Sequence, residues 1–288
     1  MPRTLLPVLA VSLITLCGLA PAAADGPAEF QKLMDERAPS IVSIKFILKG
    51  GDQEEEAEAT GVVIEPDGLI LTTNNAFGGF SARFGGPTQT PSDIKVMIGD
   101  DTQGVEASFV ARDSELQLAW VKLKNAPAKP LTSVDFEKGA PGKLGGYVYM
   151  VGLMGKFFDR VPVVSEGRIG SVTKKPRELF IPSVGLAGNE MGMPVFDSAG
   201  KPIGVTTLIL PEQEEVQGNP GGMRAAMRGI TSGIMILPAA EVAAATKRAK
   251  ETAPAPDAAP DIAPDAEPAK SPAADPAAPG KTEPEQPK

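Results

Sequence analysis

Between residues 41 and 237 the apolar residues fall into short runs rich in Val, Ile and Thr, each closed by Gly, Pro, Asn or Asp. Ile41–Ile47 is the first such run, and Thr60–Ile64 turns through Pro66-Asp67-Gly68 into Leu69–Thr72. Ile94–Ile98, Val105–Ala111 and Leu118–Lys124 complete a first set. A Pro-, Ala- and Lys-bearing stretch, Asn125–Pro141, then intervenes. The pattern resumes with Tyr147–Gly152, Val161–Val172, Leu179–Pro182, Pro194–Phe196, Ile203–Leu210 and Gly229–Leu237. β-branched residues suit a pleated, half-buried surface, and turn residues at this frequency leave room for little helix. The sequence therefore predicts an all-β chain, a barrel or sandwich arrangement in two halves.

Helical spacing occurs only at the margins. Phe30, Leu33 and Met34 give a short amphipathic helix over Pro27–Arg37, stopped by Ala38-Pro39-Ser40. Pro238 opens a second over Ala239–Lys250, with Glu241 early and Lys247, Arg248 and Lys250 late, as the helix dipole favours. The acidic run Glu54-Glu55-Glu56 with Glu58 reads as part of a solvated turn from Gly50 to Glu58, and Asp100-Asp101 as a hairpin tip. Residues 251–288 turn to Pro, Ala and acidic residues, with Ile262 the one large apolar side chain, so a disordered tail is expected.

Composition removes whole classes of chemistry. The chain has no histidine, which excludes a histidine general base and a histidine metal ligand. Its one cysteine, Cys17, lies within residues 1–24, where Arg3, the apolar run Leu5–Ala20 and Ala22-Ala23-Ala24 read as a cleavable signal. On that reading the mature chain has no thiol nucleophile, disulfide or thiolate site, no transmembrane segment, and a periplasmic or extracellular home. A retained anchor and a lipoprotein at Cys17 are the weaker readings of the same segment. Net charge −8 argues against a nucleic-acid partner. No residue set calls for a metal or another cofactor.

Four stretches in order resemble the HtrA type of trypsin-like serine peptidases. They are Arg37–Ile44, Thr60–Asn75, Ala111–Leu123 and the loop Gly188-Asn189-Glu190-Met191-Gly192-Met193-Pro194, whose hairpin closes on Ile203-Gly204-Val205. The resemblance spans about residues 28–248. It implies two packed six-stranded β-barrels, about 38–125 and 140–238, inside a domain of residues 27–250. It also implies a former catalytic cleft between them.

Carried over residue by residue, the resemblance puts Asn75 in the histidine place, Gln117 in the aspartate place and Met191 in the serine place. Counting the loop from its other end puts Glu190 there instead. Neither residue supplies a hydroxyl or thiol, and a carboxylate that orients a histidine has none to orient. Losing a triad serine or histidine costs on the order of 10⁶ in turnover, roughly 8 kcal/mol of transition-state stabilisation. Ser183 with Lys174 or Lys175 is the least implausible substitute pair. Lys174-Lys175-Pro176, however, reads more simply as a polar turn.

The expected function is an exported, catalytically inactive peptidase homologue that binds a polypeptide segment or envelope protein. Its candidate contacts are Glu190, Met191 and Met193 as cleft residues, and Thr206-Thr207-Leu208 as an edge strand for peptide pairing. The alternatives are a serine-type endopeptidase with non-standard catalytic residues and a structural envelope protein. Where multidomain relatives carry a PDZ domain after the barrels, this sequence has its Pro/Ala-rich stretch.

Overall fold

The computed structural model describes residues 27–50, 53–79, 89–183, 191–208 and 234–252. Two closed six-stranded antiparallel barrels account for nearly all the regular structure. The first comprises β1 (Ile41–Gly50), β2 (Gln53–Glu65), β3 (Leu69–Thr73), β4 (Pro91–Met97), β5 (Val105–Asp113) and β6 (Leu118–Leu123). The second comprises β7 (Tyr147–Leu153), β8 (Pro162–Val172), β9 (Phe180–Pro182), β10 (Pro194–Phe196), β11 (Pro202–Thr207) and β12 (Met235–Pro238). Around the barrels the orders are β1-β2-β3-β6-β5-β4 and β10-β11-β12-β9-β8-β7, the same path traced twice. The two-barrel expectation holds.

Strand alternation sorts side chains between three cores. In β6, Ala119, Val121 and Leu123 fill the first barrel, whereas Leu118 and Trp120 face the core shared by both barrels. In β7, Val148 and Met150 fill the second barrel and Tyr149 and Val151 join the shared core. β3 does the same, with Ile70 inward and Leu69 and Leu71 toward the other barrel. Strands buried on both faces read as continuous apolar runs, which is why these segments stand out in the sequence.

The helices tie the barrels together. α1 (Pro27–Arg37) buries Leu33, sets Phe30 edge-on to Tyr149 at 5.7 Å, and lays Arg37 over the Phe196 ring. α2 (Ala239–Thr252) follows β12 out of the second barrel and returns to the first. There Trp120 Nε1 donates to Thr246 Oγ1 at 3.2 Å, and Arg248 and Lys250 pair with Asp113 and Glu65. Among the described residues no helix is long and apolar enough to cross a membrane.

Two expectations about local structure change. Residues 54–58 are strand, not turn: β2 runs through them in register with β1, Lys49 opposite Glu54 and Lys45 opposite Glu58. Cross-strand pairs Lys45–Glu56 and Lys49–Glu54 hold its polar face, while Leu48 and Ala57 pack against the first-barrel core. The Asp100-Asp101 tip is as expected, with Asp101 Oδ1 accepting from Gln103 N–H. The second correction concerns β11. It lies between β10 and β12, and Thr206 is bonded on both sides, opposite Ile236 and to Gly192 and Met193, so as far as Thr206 it is not an edge strand.

Candidate functional site

Local backbone chemistry sets each of the residues that the resemblance assigns to a triad place. Thr73 caps the 3-10 turn Asn74–Phe77, its Oγ1 accepting from Asn75 N–H, and Gly78 ends the turn in the left-handed region at φ 77°. That turn lifts Asn75 off the end of β3 to face the second barrel. Gln117 sits on a tight turn at φ 58°, an uncommon conformation for a long side chain. Its carbonyl accepts from Asn74 N–H and Thr73 Oγ1, which fastens the approach to β6 to the end of β3.

Met191 arrives from the other barrel. Gly192, at φ 83°, donates its N–H to the Thr206 carbonyl at 2.7 Å. A side chain at Gly192 would place its Cβ 2.9 Å from Thr73 N, so only glycine lets this loop rest against the first barrel. The contact brings Met191 Sδ within 3.0 Å of Asn75 Nδ2, which donates to it.

Asn75 and Met191 are thus joined directly. Gln117 is not joined to them through its side chain, which is buried and whose Nε2 donates to the Ser114 carbonyl. Its Oε1 is buried with no hydrogen-bond partner among the described residues.

A cavity of about 550 Å³ opens between the barrels beside this contact. Ser43, Glu58, Thr60, Thr73, Asn75 and Ala76 line it from the first barrel. Leu153, Met154, Gly155, Lys156, Arg160 and Met191 line it from the second. Its polar wall is the fork of Arg160 onto Glu58, with Nε to Oε1 at 2.6 Å and Nη2 to Oε2 at 2.9 Å. Ser43 Oγ donates to the same Oε1 at 2.5 Å. The Arg160 hydrogen bond is the main cause that lowers the Glu58 carboxyl from its ordinary range. Partial burial opposes it, and Ser43, the Arg160 charge and Lys156 add to it. Asp159 and Arg160 both sit at φ 53°, so the tip that delivers Arg160 has two consecutive left-handed residues.

Beside the cavity the β7–β8 connection exposes apolar side chains, Phe157 at 90% and Phe158 at 54% among them. Their rings pack edge to face at 5.0 Å.

Other expected contacts fall elsewhere. Met193 is fully buried in the second barrel with Met150, Phe180 and Ile236, so it cannot floor the cleft. Nor does it strain the turn, because the left-handed position falls on Gly192. Thr206 and Thr207 are buried too; Thr206 N–H donates to the Met193 carbonyl, and Thr207 Oγ1 reaches the Leu116 carbonyl across the barrels. Leu208 follows β11 and is half-buried. Glu190 lies outside the described residues. Ser183 is exposed, its N–H donating to the Arg168 carbonyl, and Lys174 and Lys175 are exposed in the turn before β9.

Sequence reading missed Glu58, Lys156 and Arg160. A signal for Glu58 was there: Glu58, Thr60 and Val62 alternate along one face of β2, and Val62 belongs to the inter-barrel core. Among the described residues no cluster of Asp, Glu, His or Cys could hold a metal ion.

Comparison with known proteins agrees with this architecture. The trypsin-like peptidase domain family matches residues 59–205. A protein of Hahella chejuensis (strain KCTC 2396) named as a probable periplasmic serine endoprotease DegP-like is 22% identical over 239 residues. That alignment covers 70% of this chain and 47% of the relative. A protein of the same name from Brucella suis biovar 1 (strain 1330) is 27% identical over 164 residues, covering 55% of this chain and 29% of the relative. The chain thus spans about half or less of the length of these curated relatives. A solved structure described as Deg5 overlays with TM-score 0.49 at 21% identity, covering 62% of this chain and 84% of that one. With half of its length matched by the family and two barrels packed around a shared cleft, this chain belongs to the trypsin-like peptidase domain family.

Proposed function

We propose that this chain is an exported, non-catalytic member of the family that holds a polypeptide segment in the cavity between its barrels. The observation that carries the proposal is the Asn75–Met191 hydrogen bond. A thioether and an amide occupy the places of nucleophile and base, and neither can attack a carbonyl or take a proton from a nucleophile. The whole chain lacks the histidine that the mechanism of the family requires. What remains is a cavity of about 550 Å³ with hydroxyl, amide, thioether and paired-charge walls, flanked by exposed aromatics. Such a site suits an extended segment that presents backbone amides and side chains together. Because β11 is paired on both sides as far as Thr206, and Thr207 is buried, the reading places the segment against the cavity walls and not in strand addition along β11. Export is proposed from residues 1–24 and agrees with the periplasmic names of the relatives.

The rival reading is a serine-type endopeptidase with rearranged residues, and the relatives' names as serine endoproteases favour it. One experiment separates the two. Fluorescein-labelled β-casein, an unfolded polypeptide, is added to the purified protein and followed by anisotropy and by gel. The proposal expects binding without fragments, weakened at least tenfold by Met154→Arg or Met191→Arg, each of which fills the cavity with a charge. Fragments that scale with protein concentration would establish the rival. Binding that ignores both substitutions would move the interaction away from the cleft.

A further inference from the structure

We propose that Met191 is a reversible oxidation site, a thioether that hydroperoxides convert to the sulfoxide and that thereby changes what the cleft accepts. Most methionines of the described structure are sealed in the cores: Met97, Met150, Met193 and Met235 are each 4% exposed or less. Met191 and Met154 are different, since both line the inter-barrel cavity and Met154 is 37% exposed. Oxidation of a thioether follows access of the oxidant to sulfur, and the cavity supplies it.

Met191 has a second distinction. Its sulfur already accepts a hydrogen bond from Asn75 Nδ2 at 3.0 Å. Thioether sulfur is a weak acceptor, whereas a sulfoxide oxygen is a strong one. The donor needed to hold the oxidised form is therefore in place before the reaction. In the step itself a sulfur lone pair attacks the hydroperoxide, the O–O bond breaks, and one oxygen is transferred to sulfur. Sulfur is oxidised by two electrons, and the remaining oxygen leaves as water, or as the alcohol from an organic hydroperoxide. The product places a polar oxygen between Asn75 and the cavity, where a soft apolar group had been. The one cysteine of the chain, Cys17, lies in the segment read as a cleavable signal, so on that reading no thiol of the mature chain competes for the oxidant.

The site stands on access and geometry alone; its control over ligand rests on the polypeptide-binding reading. Two arms keep them apart. In the first, the folded full chain is treated with hydrogen peroxide, quenched at intervals, and its methionines followed by peptide mass spectrometry. Met191 sulfoxide should form at least tenfold faster than sulfoxide at Met193, two residues away. The difference should vanish in 6 M guanidinium, and methionine sulfoxide reductase should reverse the product. Equal rates at Met191 and Met193 in the folded chain would overturn the site. In the second arm, labelled β-casein is titrated before and after oxidation, with Met154→Leu as background and Met191→Leu added to it. The background protein should change affinity at least threefold on oxidation and the Met191→Leu protein should not. An equal response in both would overturn the control, and no binding to either would overturn the polypeptide reading while the oxidation result stands.

Discussion

Arg160 grips Glu58 from the opposite barrel with two parallel hydrogen bonds, and the pair forms one wall of the cleft. The Glu58 and Arg160 side chains keep 32% and 20% of their exposure, so solvent screens the pair in part. A bidentate fork is the geometry in which such a pair still contributes, by about 1 kcal/mol.

The pH dependence follows from the direction of the Glu58 shift. Its folded carboxyl is held below the ordinary value of 4.5, chiefly by the Arg160 hydrogen bond. A depressed folded value means the contribution is full above that ordinary value. It is lost as pH falls below it through the lowered folded value. Glu58→Gln should therefore lower Tm by about 2–4 °C at pH 7, and the gap should at least halve by pH 3. Melting curves at the two pH values test this. A gap of the same size at both would mean that the pair adds nothing specific.

Gly192 carries the second prediction. Alanine there would force a side chain into the left-handed region and push Cβ against the Thr73 backbone. The cost should be about 1–3 kcal/mol, and relief requires the loop to lift from β3. Gly192→Ala should lower Tm, and it should also make the Met191 thioether more open to solvent. Hydrogen exchange at Gly192, whose amide donates to Thr206, reports the lifting directly. Unchanged protection would show that the loop tolerates a methyl group.

The clasp of α2 on the first barrel gives a third. Trp120 is fully buried, and Thr246 supplies the acceptor for its indole N–H while donating to the Val242 carbonyl. Thr246→Val keeps the shape and leaves the indole N–H without that partner, which should cost about 1–3 kcal/mol. Denaturant unfolding followed by Trp120 fluorescence, the one tryptophan of the chain, measures it. A loss below a few tenths of a kcal/mol would mean that water or another group replaces the bond.

How much of this was legible beforehand divides by physical cause. Strands β3, β6 and β7 were visible because a strand buried on both faces is apolar without interruption, and the same path traced twice gave two halves. Residues 54–58 were misread because their strand is held by cross-strand Lys–Glu pairs, which resemble a solvated turn in sequence. Met191 and Met193 look equivalent on paper. Period-two alternation would put both on one face; the left-handed turn at Gly192 breaks it and sends Met193 into the barrel and Met191 onto the cleft. The Glu58–Arg160 contact joins residues far apart in sequence, and no local pattern announces the partner.

Catalysis gives the last prediction, and the structure makes it sharper than the missing residues alone. The purified protein should not cleave casein and should not react with a fluorophosphonate. Stoichiometric labelling of Ser183 would reverse that conclusion. Restoring Met191→Ser by itself should change nothing, since no base lies beside it. The triple change Asn75→His, Gln117→Asp, Met191→Ser should bring the new histidine and serine together, because Asn75 and Met191 already touch. The aspartate is the obstacle. The Gln117 side chain turns toward the Ser114 carbonyl from a backbone at φ 58°, not toward Asn75. A shorter carboxylate in that conformation would meet a carbonyl oxygen and leave the histidine without its orienting partner. The triple variant should therefore show at most the weak activity of a serine–histidine pair, detectable as slow fluorophosphonate labelling. Turnover comparable to that of an active family member would show that residue 117 can reorient, and that the three substitutions are all that separates this cleft from a peptidase.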